Sequence, residues 1–131
     1  MTTHRLTRNQ ALVFDVLSEA EAPLSAYTIL DKLRGDGFRA PLQVYRALDK
    51  LLEIGIVHRL ESISAFVACA HPEEDCHAHG VTAFIICETC GQVTEFHDHV
   101  LEERLKGFAR ARNFKTDKTT IEIRGQCAGC A

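Results

Sequence analysis

Tryptophan is absent from this 131-residue chain, methionine occurs once and proline three times. With only eight glycines besides, no collagenous or low-complexity stretch is possible. Apolar runs are short, as in Ala83–Cys87, and fall well below the roughly 20 residues that cross a bilayer. No membrane span is expected. A strong excess of one charge is missing too: 15 Lys and Arg stand against 18 Asp and Glu, a net charge of −3, which excludes a uniformly basic nucleic-acid binder. The opening residues Met1-Thr2-Thr3-His4-Arg5-Leu6-Thr7-Arg8 lack the apolar core of a signal peptide, so the cytoplasm is the expected compartment. There, six cysteines point to metal binding rather than to a disulfide framework. What is present, 46% hydrophobic and 25% charged residues, is the balance of a folded globular chain.

These residues are unevenly placed. Residues 1–68 hold eight Lys/Arg and eight Asp/Glu, whereas 69–131 hold seven and ten, with all six Cys and five of the seven His. A neutral first half poor in metal ligands is followed by an acidic second half rich in them. We expect domains at 1–70 and 81–131 with a hinge at 71–80.

In the first half, Thr7-Arg8-Asn9-Gln10 has the form of a capping box with Leu6 outside it, and opens a helix whose Leu12, Val13, Val16, Leu17 and Ala20 form one stripe. Ala22-Pro23 ends it. Ser25 caps a second helix with Ala26, Ile29, Leu30 and Leu33 inward, ending at Gly35-Asp36-Gly37. Pro41 suits the first turn of a third, which buries Val44, Leu48, Leu51 and Leu52 and stops at Gly55. The runs Ile56–Glu61 and Ala65–Cys69 then read as a hairpin about Ser62-Ile63-Ser64. Three helices and a hairpin outline a winged helix-turn-helix, whose third helix enters the DNA major groove. The outer face of that helix carries Arg46 and Lys50, with Tyr45 and Gln43 beside them and Arg39 just before it. Arg reads guanine edges, and Tyr and Lys bond phosphate. A solvated face with salt bridges to Asp49 and Glu53 is the other reading of the same residues.

In the second half, Cys87-Glu88-Thr89-Cys90 and Cys127-Ala128-Gly129-Cys130 are two Cys-x-x-Cys knuckles. Four thiolates at this spacing close a tetrahedral zinc site, with Gly allowing each knuckle to turn. A redox role for one pair is the alternative, against which the second pair weighs. Between the knuckles, Gln92–Phe96 reads as a strand, Val100–Arg112 as a helix with Leu101, Leu105, Phe108 and Ala109 inward, and Thr119–Arg124 as a returning strand. A second group of metal-binding types remains: His58, Cys69, His71, Cys76, His77, His79, Glu95, His97 and His99. Singly, each His is readable as an exposed polar residue; together, Cys, His and carboxylate favour zinc over magnesium or calcium.

The segments Leu6-Thr7-Arg8-Asn9-Gln10, Val44-Tyr45-Arg46-Ala47-Leu48, His77-Ala78-His79, Cys87-Glu88-Thr89-Cys90-Gly91 and Cys127-Ala128-Gly129-Cys130, spread over nearly the whole chain, resemble the ferric uptake regulator superfamily, and within it the zinc uptake regulators. The resemblance implies an α+β chain, with an N-terminal winged helix-turn-helix domain and a C-terminal α/β dimerisation domain holding a four-cysteine zinc site. It implies a cytoplasmic homodimer that binds palindromic operator DNA when loaded with zinc and represses zinc-uptake genes. It also implies at least two zinc ions per subunit, no small-molecule substrate and no membrane partner. Cys87, Cys90, Cys127 and Cys130 match the structural site. His58, Cys69, His79 and Glu95 match the sensing site of zinc-responsive members, with His77 as the alternative to His79, because the interval to Cys87 departs from the iron-sensing pattern. Arg46 and Tyr27 match residues that contact DNA. A metal held by His58 and Cys69 from the wing and by His79 and Glu95 from beyond it would clamp the domains, so that a dimer reaches successive major grooves about 34–36 Å apart. Where many members have a further His ligand this chain has Thr119-Thr120, so a third site must differ or be absent.

Three other functions remain open to the sequence: an iron or peroxide sensor of the same superfamily, a zinc-ribbon interaction module, and a zinc hydrolase. The hydrolase lacks a His-Glu-x-x-His helix, and Cys69 would fill the metal position that it needs open.

Overall fold

The computed structural model describes residues 6–69 and 81–131, and the chain divides into two compact units, Met1–Glu74 and Asp75–Ala131.

The first unit starts with α1 (Arg8–Glu19), capped as its sequence requires: Gln10 N donates to Thr7 Oγ1 at 3.2 Å and Thr7 N to Gln10 Oε1 at 3.0 Å. Helix α2 (Ala26–Leu33) is capped by Ser25, whose Oγ accepts from Thr28 N at 3.2 Å. A 3-10 turn, Arg34–Asp36, and Gly37 at φ 97° redirect the chain. Helix α3 (Pro41–Ile54) follows, and Gly55 at φ 94° ends it. The left-handed φ at both positions is the conformation glycine adopts at least cost. Val13 and Leu17 of α1, Ile29, Leu30 and Leu33 of α2, and Val44, Leu48 and Leu51 of α3 are buried in one core. Arg8 Nη2 donates to Asp36 O at 3.1 Å and ties α1 to the turn before α3.

The wing is β1 (Val57–Leu60) paired antiparallel with β2 (Ala65–Ala68), in the register Val57↔Ala68 to Leu60↔Ala65. Its turn begins one residue earlier than the sequence suggests, with a 3-10 turn at Glu61–Ile63 and Ser64 at φ 50°. An extra bridge that hydrophobic periodicity could not supply joins Leu24 to Phe66: Leu24 N donates to Phe66 O at 3.0 Å and Phe66 N to Leu24 O at 2.8 Å.

The second unit is a three-stranded sheet in the order β4-β3-β5, with a helix between β4 and β5. Its strands are β3 (Val81–Cys87), β4 (Val93–Phe96) and β5 (Thr119–Gly125). β3 pairs antiparallel with β4 and parallel with β5. Sequence patterning assigns no strand to 81–87. Flanked on both edges, β3 buries Thr82, Phe84 and Ile86 together with Ala83 and Cys87 of its opposite face, so the polar alternation that marks a strand is missing.

Helix α4 (His99–Ala111) is capped by Asp98, whose Oδ1 accepts from Leu101 N at 3.0 Å. The inward face expected for it needs correction. Leu101, Leu105 and Ala109 are half-buried, but Phe108 is 57% exposed, whereas Glu102 is buried with Lys106 Nζ at 2.9 Å. At 100° per residue, Glu102 lies on the Leu105 and Ala109 side of the stripe and Phe108 on the other edge. The buried centre is rotated toward the acid, whose charge the lysine one turn on compensates.

Candidate functional site

The parallel pairing of β3 and β5 builds the cysteine site. Cys87 ends β3 and lies opposite Gly125 at the end of β5, so the chain leaving β5 delivers Cys127 and Cys130 beside Cys87 and Cys90. Glu88 N donates to Gly125 O at 2.8 Å, and Gln126 Nε2 to Thr89 Oγ1 at 3.3 Å, fastening one knuckle to the other. All four sulfurs lie within 4.8 Å of one another, with Cys90 Sγ 3.8 Å from Cys127 Sγ. A tetrahedron with Zn–S bonds of about 2.3 Å has S···S edges of about 3.8 Å. The four cysteines are free thiols, and soft donors at this spacing suit zinc.

The electrostatics of the knuckles follow from the same geometry. Cys90 N and Cys127 N point at Cys87 Sγ from 3.5 and 3.4 Å, and these N–H groups draw the Cys87 thiol down to about 6. Cys130, beside the sulfurs of Cys127 and Cys87, is pushed up to about 12. For Cys90, the Gln92 N–H pulls downward, but hydrogen bonding with Cys87, burial and Cys127 outweigh it and the thiol is raised. Gly91, at φ 79°, supplies the left-handed turn after Cys90, as expected. Gly129 does not have that role: its φ is not positive, and an added Cβ would meet only Cys127 Sγ at 4.0 Å.

In the first unit, His58 lies on β1 and Cys69 just beyond β2. Cys69 N donates to Ile56 O at 2.8 Å, which extends the pairing one step past Val57↔Ala68. His58 and Cys69 are thus diagonal neighbours on one face of the hairpin. Both are buried, and their ligand atoms come within 4.8 Å of each other. In the second unit, Glu95 on β4 has a side chain only 4% exposed, with Oε2 3.1 Å from His97 Nε2. His99 opens α4 and is exposed. His71, Cys76, His77 and His79 lie outside the described residues.

The outer face of α3 presents Tyr45 and Arg46 to solvent, with Lys50 one turn on and Arg39 exposed ahead of the helix. Lys50 Nζ lies 3.6 Å from Glu53 Oε1, a local pair of the kind a solvated face would carry. Gln43 has a second task, since its Oε1 accepts from Arg39 N at 2.6 Å and Ala40 N at 3.1 Å and so caps α3. Tyr27 on α2 is 64% exposed. Leu42, absent from the sequence expectation, is 57% exposed, one turn before Arg46. The signal was readable, because Leu42 is out of phase with the stripe Val44, Leu48 and Leu51.

The chain is similar to known proteins over nearly its whole length. The ferric uptake regulator family model matches residues 2–124. The zinc uptake regulation protein of Escherichia coli (strain K12) is 37% identical over 127 residues, which are 96% of this chain and 72% of its own. Among solved structures, that of holo XcZur is 39% identical with a TM-score of 0.85, covering 98% of this chain and 87% of its own. A zinc uptake regulator complexed with zinc and DNA is 36% identical with a TM-score of 0.87, covering 95% of this chain and 82% of its own. On the family match and on this identity over nearly its full length, the chain belongs to the ferric uptake regulator family.

Proposed function

We propose that the protein is a zinc-responsive transcriptional repressor, not an enzyme, that binds palindromic operator DNA as a zinc-loaded homodimer and represses zinc-uptake genes. One observation carries this reading: the chain matches, over 95% of its length and with a TM-score of 0.87, a zinc uptake regulator complexed with zinc and DNA. The four clustered sulfurs and the buried His58–Cys69 pair support zinc as the metal, because a thiolate beside imidazole is a softer donor set than iron or manganese prefers. The compartment is the cytoplasm; no helix among the described residues is long and apolar enough to cross a membrane.

Cys87, Cys90, Cys127 and Cys130 hold the structural ion, and His58, Cys69, Glu95 and His79, with His77 as the alternative, hold the sensing ion. At both places bound zinc would supply a cross-link between these side chains. Burial readies His58 and Cys69 for this, since a buried imidazole and thiol have little water to give up. His97, against the Glu95 carboxylate at 3.1 Å, orients it as outer partners of metal ligands do. Ligands drawn from both units make occupancy a bias on which arrangements of the units are populated, and DNA affinity then follows zinc. Arg46 reads a base edge, while Lys50, Tyr45, Arg39, Tyr27 and the free amide of Gln43 contact the backbone or base edges around it. Exposed Ile85, Val100, Phe108 and Ile123 give a second copy apolar surface to cover.

The test is binding of the purified protein to a random duplex pool at buffered free zinc, iron or manganese. Enrichment of a palindrome at the lowest free concentration with zinc is the expected result. Enrichment with iron or manganese in its place makes the protein an iron or peroxide sensor, and no enrichment with any metal leaves a zinc-ribbon interaction module.

A further inference from the structure

The DNA-facing side of α3 carries an apolar residue that the base-edge and phosphate contacts above leave without a task. Val44, Ala47, Leu48 and Leu51 of this helix are at most 4% exposed, whereas Leu42 is 57% exposed. At 100° per residue Leu42 lies about 160° from Val44 and within about 60° of both Tyr45 and Arg46, so it projects from the face opposite the core. It is also the second residue of the helix, in the N-terminal turn that reaches base edges when a recognition helix docks.

We infer that Leu42 is a specificity-determining residue, which reads the C5-methyl group of a thymine beside the base pair that Arg46 contacts. This rests on the repressor reading above. The thymine methyl is the one apolar group on the major-groove edge of the bases, and aliphatic side chains recognise it by contact alone. Four residues of helix advance about 6 Å, and successive base pairs about 3.4 Å. The thymine therefore lies one or two base pairs from the one that Arg46 reads. Aromatic carbons of Tyr45, 40% exposed, flank the same contact and help to exclude water from it. A leucine left in water on this face gains nothing for the fold; against a methyl group it gains burial, and adds discrimination against cytosine, whose C5 carries hydrogen where thymine carries the methyl.

The experiment uses the full-length zinc-loaded protein and the duplex enriched from a random pool, with each thymine of a half-site replaced in turn by deoxyuridine. For the parent, one or two positions within two base pairs of the Arg46 contact should weaken binding about fourfold, the burial of a single methyl group. For Leu42→Ala the same replacements should cost nothing, while loss at other positions is unchanged. Leu42→Gln should also lose the methyl effect, and since position 42 is exposed, circular dichroism of both variants should match the parent. Equal methyl effects in parent and Leu42→Ala, or no methyl effect in the parent, overturn the assignment of Leu42 alone. A parent that enriches no duplex overturns the repressor reading on which it rests.

Discussion

Arg46 and Lys50 sit one turn apart on α3, and their side-chain chemistry separates what each contributes. A planar guanidinium makes two hydrogen bonds to one guanine edge, so Arg46→Ala should cost about 1–3 kcal/mol and relax preference at one base pair of each half-site. The Lys50 ammonium is a point charge, and its exposed pair with Glu53 at 3.6 Å is too weak to hold it from phosphate. Lys50→Ala should therefore weaken binding to all sequences alike and flatten the salt dependence by about one unit of slope. Fluorescence anisotropy at several salt concentrations separates the two; an Arg46→Ala dimer as tight and selective as the parent would refute the assignment. At the cysteine site, zinc takes thiolates, so each protonated thiol must release its proton on binding. At neutral pH Cys87, drawn down to about 6 by the N–H groups of Cys90 and Cys127, is already ionised, while Cys90 and Cys130 are raised and protonated. Zinc uptake should release protons, and affinity should fall with falling pH, more steeply below about pH 6, where Cys87 protonates as well. Chelator competition from about pH 5 to about pH 8 checks this, and an affinity independent of pH contradicts it.

Among the elements, the two knuckles look alike in sequence and differ in backbone. Gly91 at φ 79° occupies a region that L side chains enter only with strain, so Gly91→Ala should lower stability by roughly 1 kcal/mol or more. Gly129 has no such φ and no close neighbour, so Gly129→Ala should leave the thermal midpoint of the zinc-loaded protein near the parent's. A Gly91→Ala protein as stable as the parent would mean that the Gly91 turn is unimportant. That difference was hidden in the sequence, where a glycine shows permission and not use. Caps and stops were legible: Thr7 with Gln10, Ser25, Gly37 and Gly55 each act through bonds a few residues long, so local sequence determines them. Strand β3 was not, because both of its faces carry apolar side chains, all buried but Val81 and Ile85, and this removes polar alternation; the Leu24–Phe66 bridge joins residues 42 apart. The cysteines were found from their spacing. What brings the knuckles together, the parallel register of β3 and β5, is a long-range pairing that no local pattern encodes.

For the whole molecule, the two metal sets should fail differently, and that difference separates folding from sensing. Among the described residues the second unit is a three-stranded sheet with one helix, a core small enough to lean on the proposed structural ion, which in small zinc domains contributes roughly 10–16 kcal/mol. Cys90→Ser removes one corner of its tetrahedron, so dimer and thermal stability should be lost at every zinc concentration. Cys69 lies just beyond the wing in the first unit, whose core of Val13, Ile29, Leu48 and neighbouring side chains is built from apolar residues and contains no metal ligand. Cys69→Ser should therefore stay a folded dimer with its structural zinc, and need far more free zinc to bind operator. Within the remaining pair of candidate ligands, His79→Ala should weaken the zinc response and His77→Ala should not. Sedimentation velocity, metal content and zinc-dependent operator binding on the same four preparations give the comparison. A Cys90→Ser protein that remains a stable dimer and merely needs more zinc would exchange the roles of the two sets. If His77→Ala abolishes the response instead, the fourth ligand is His77, and Cys69 and Glu95 keep their places.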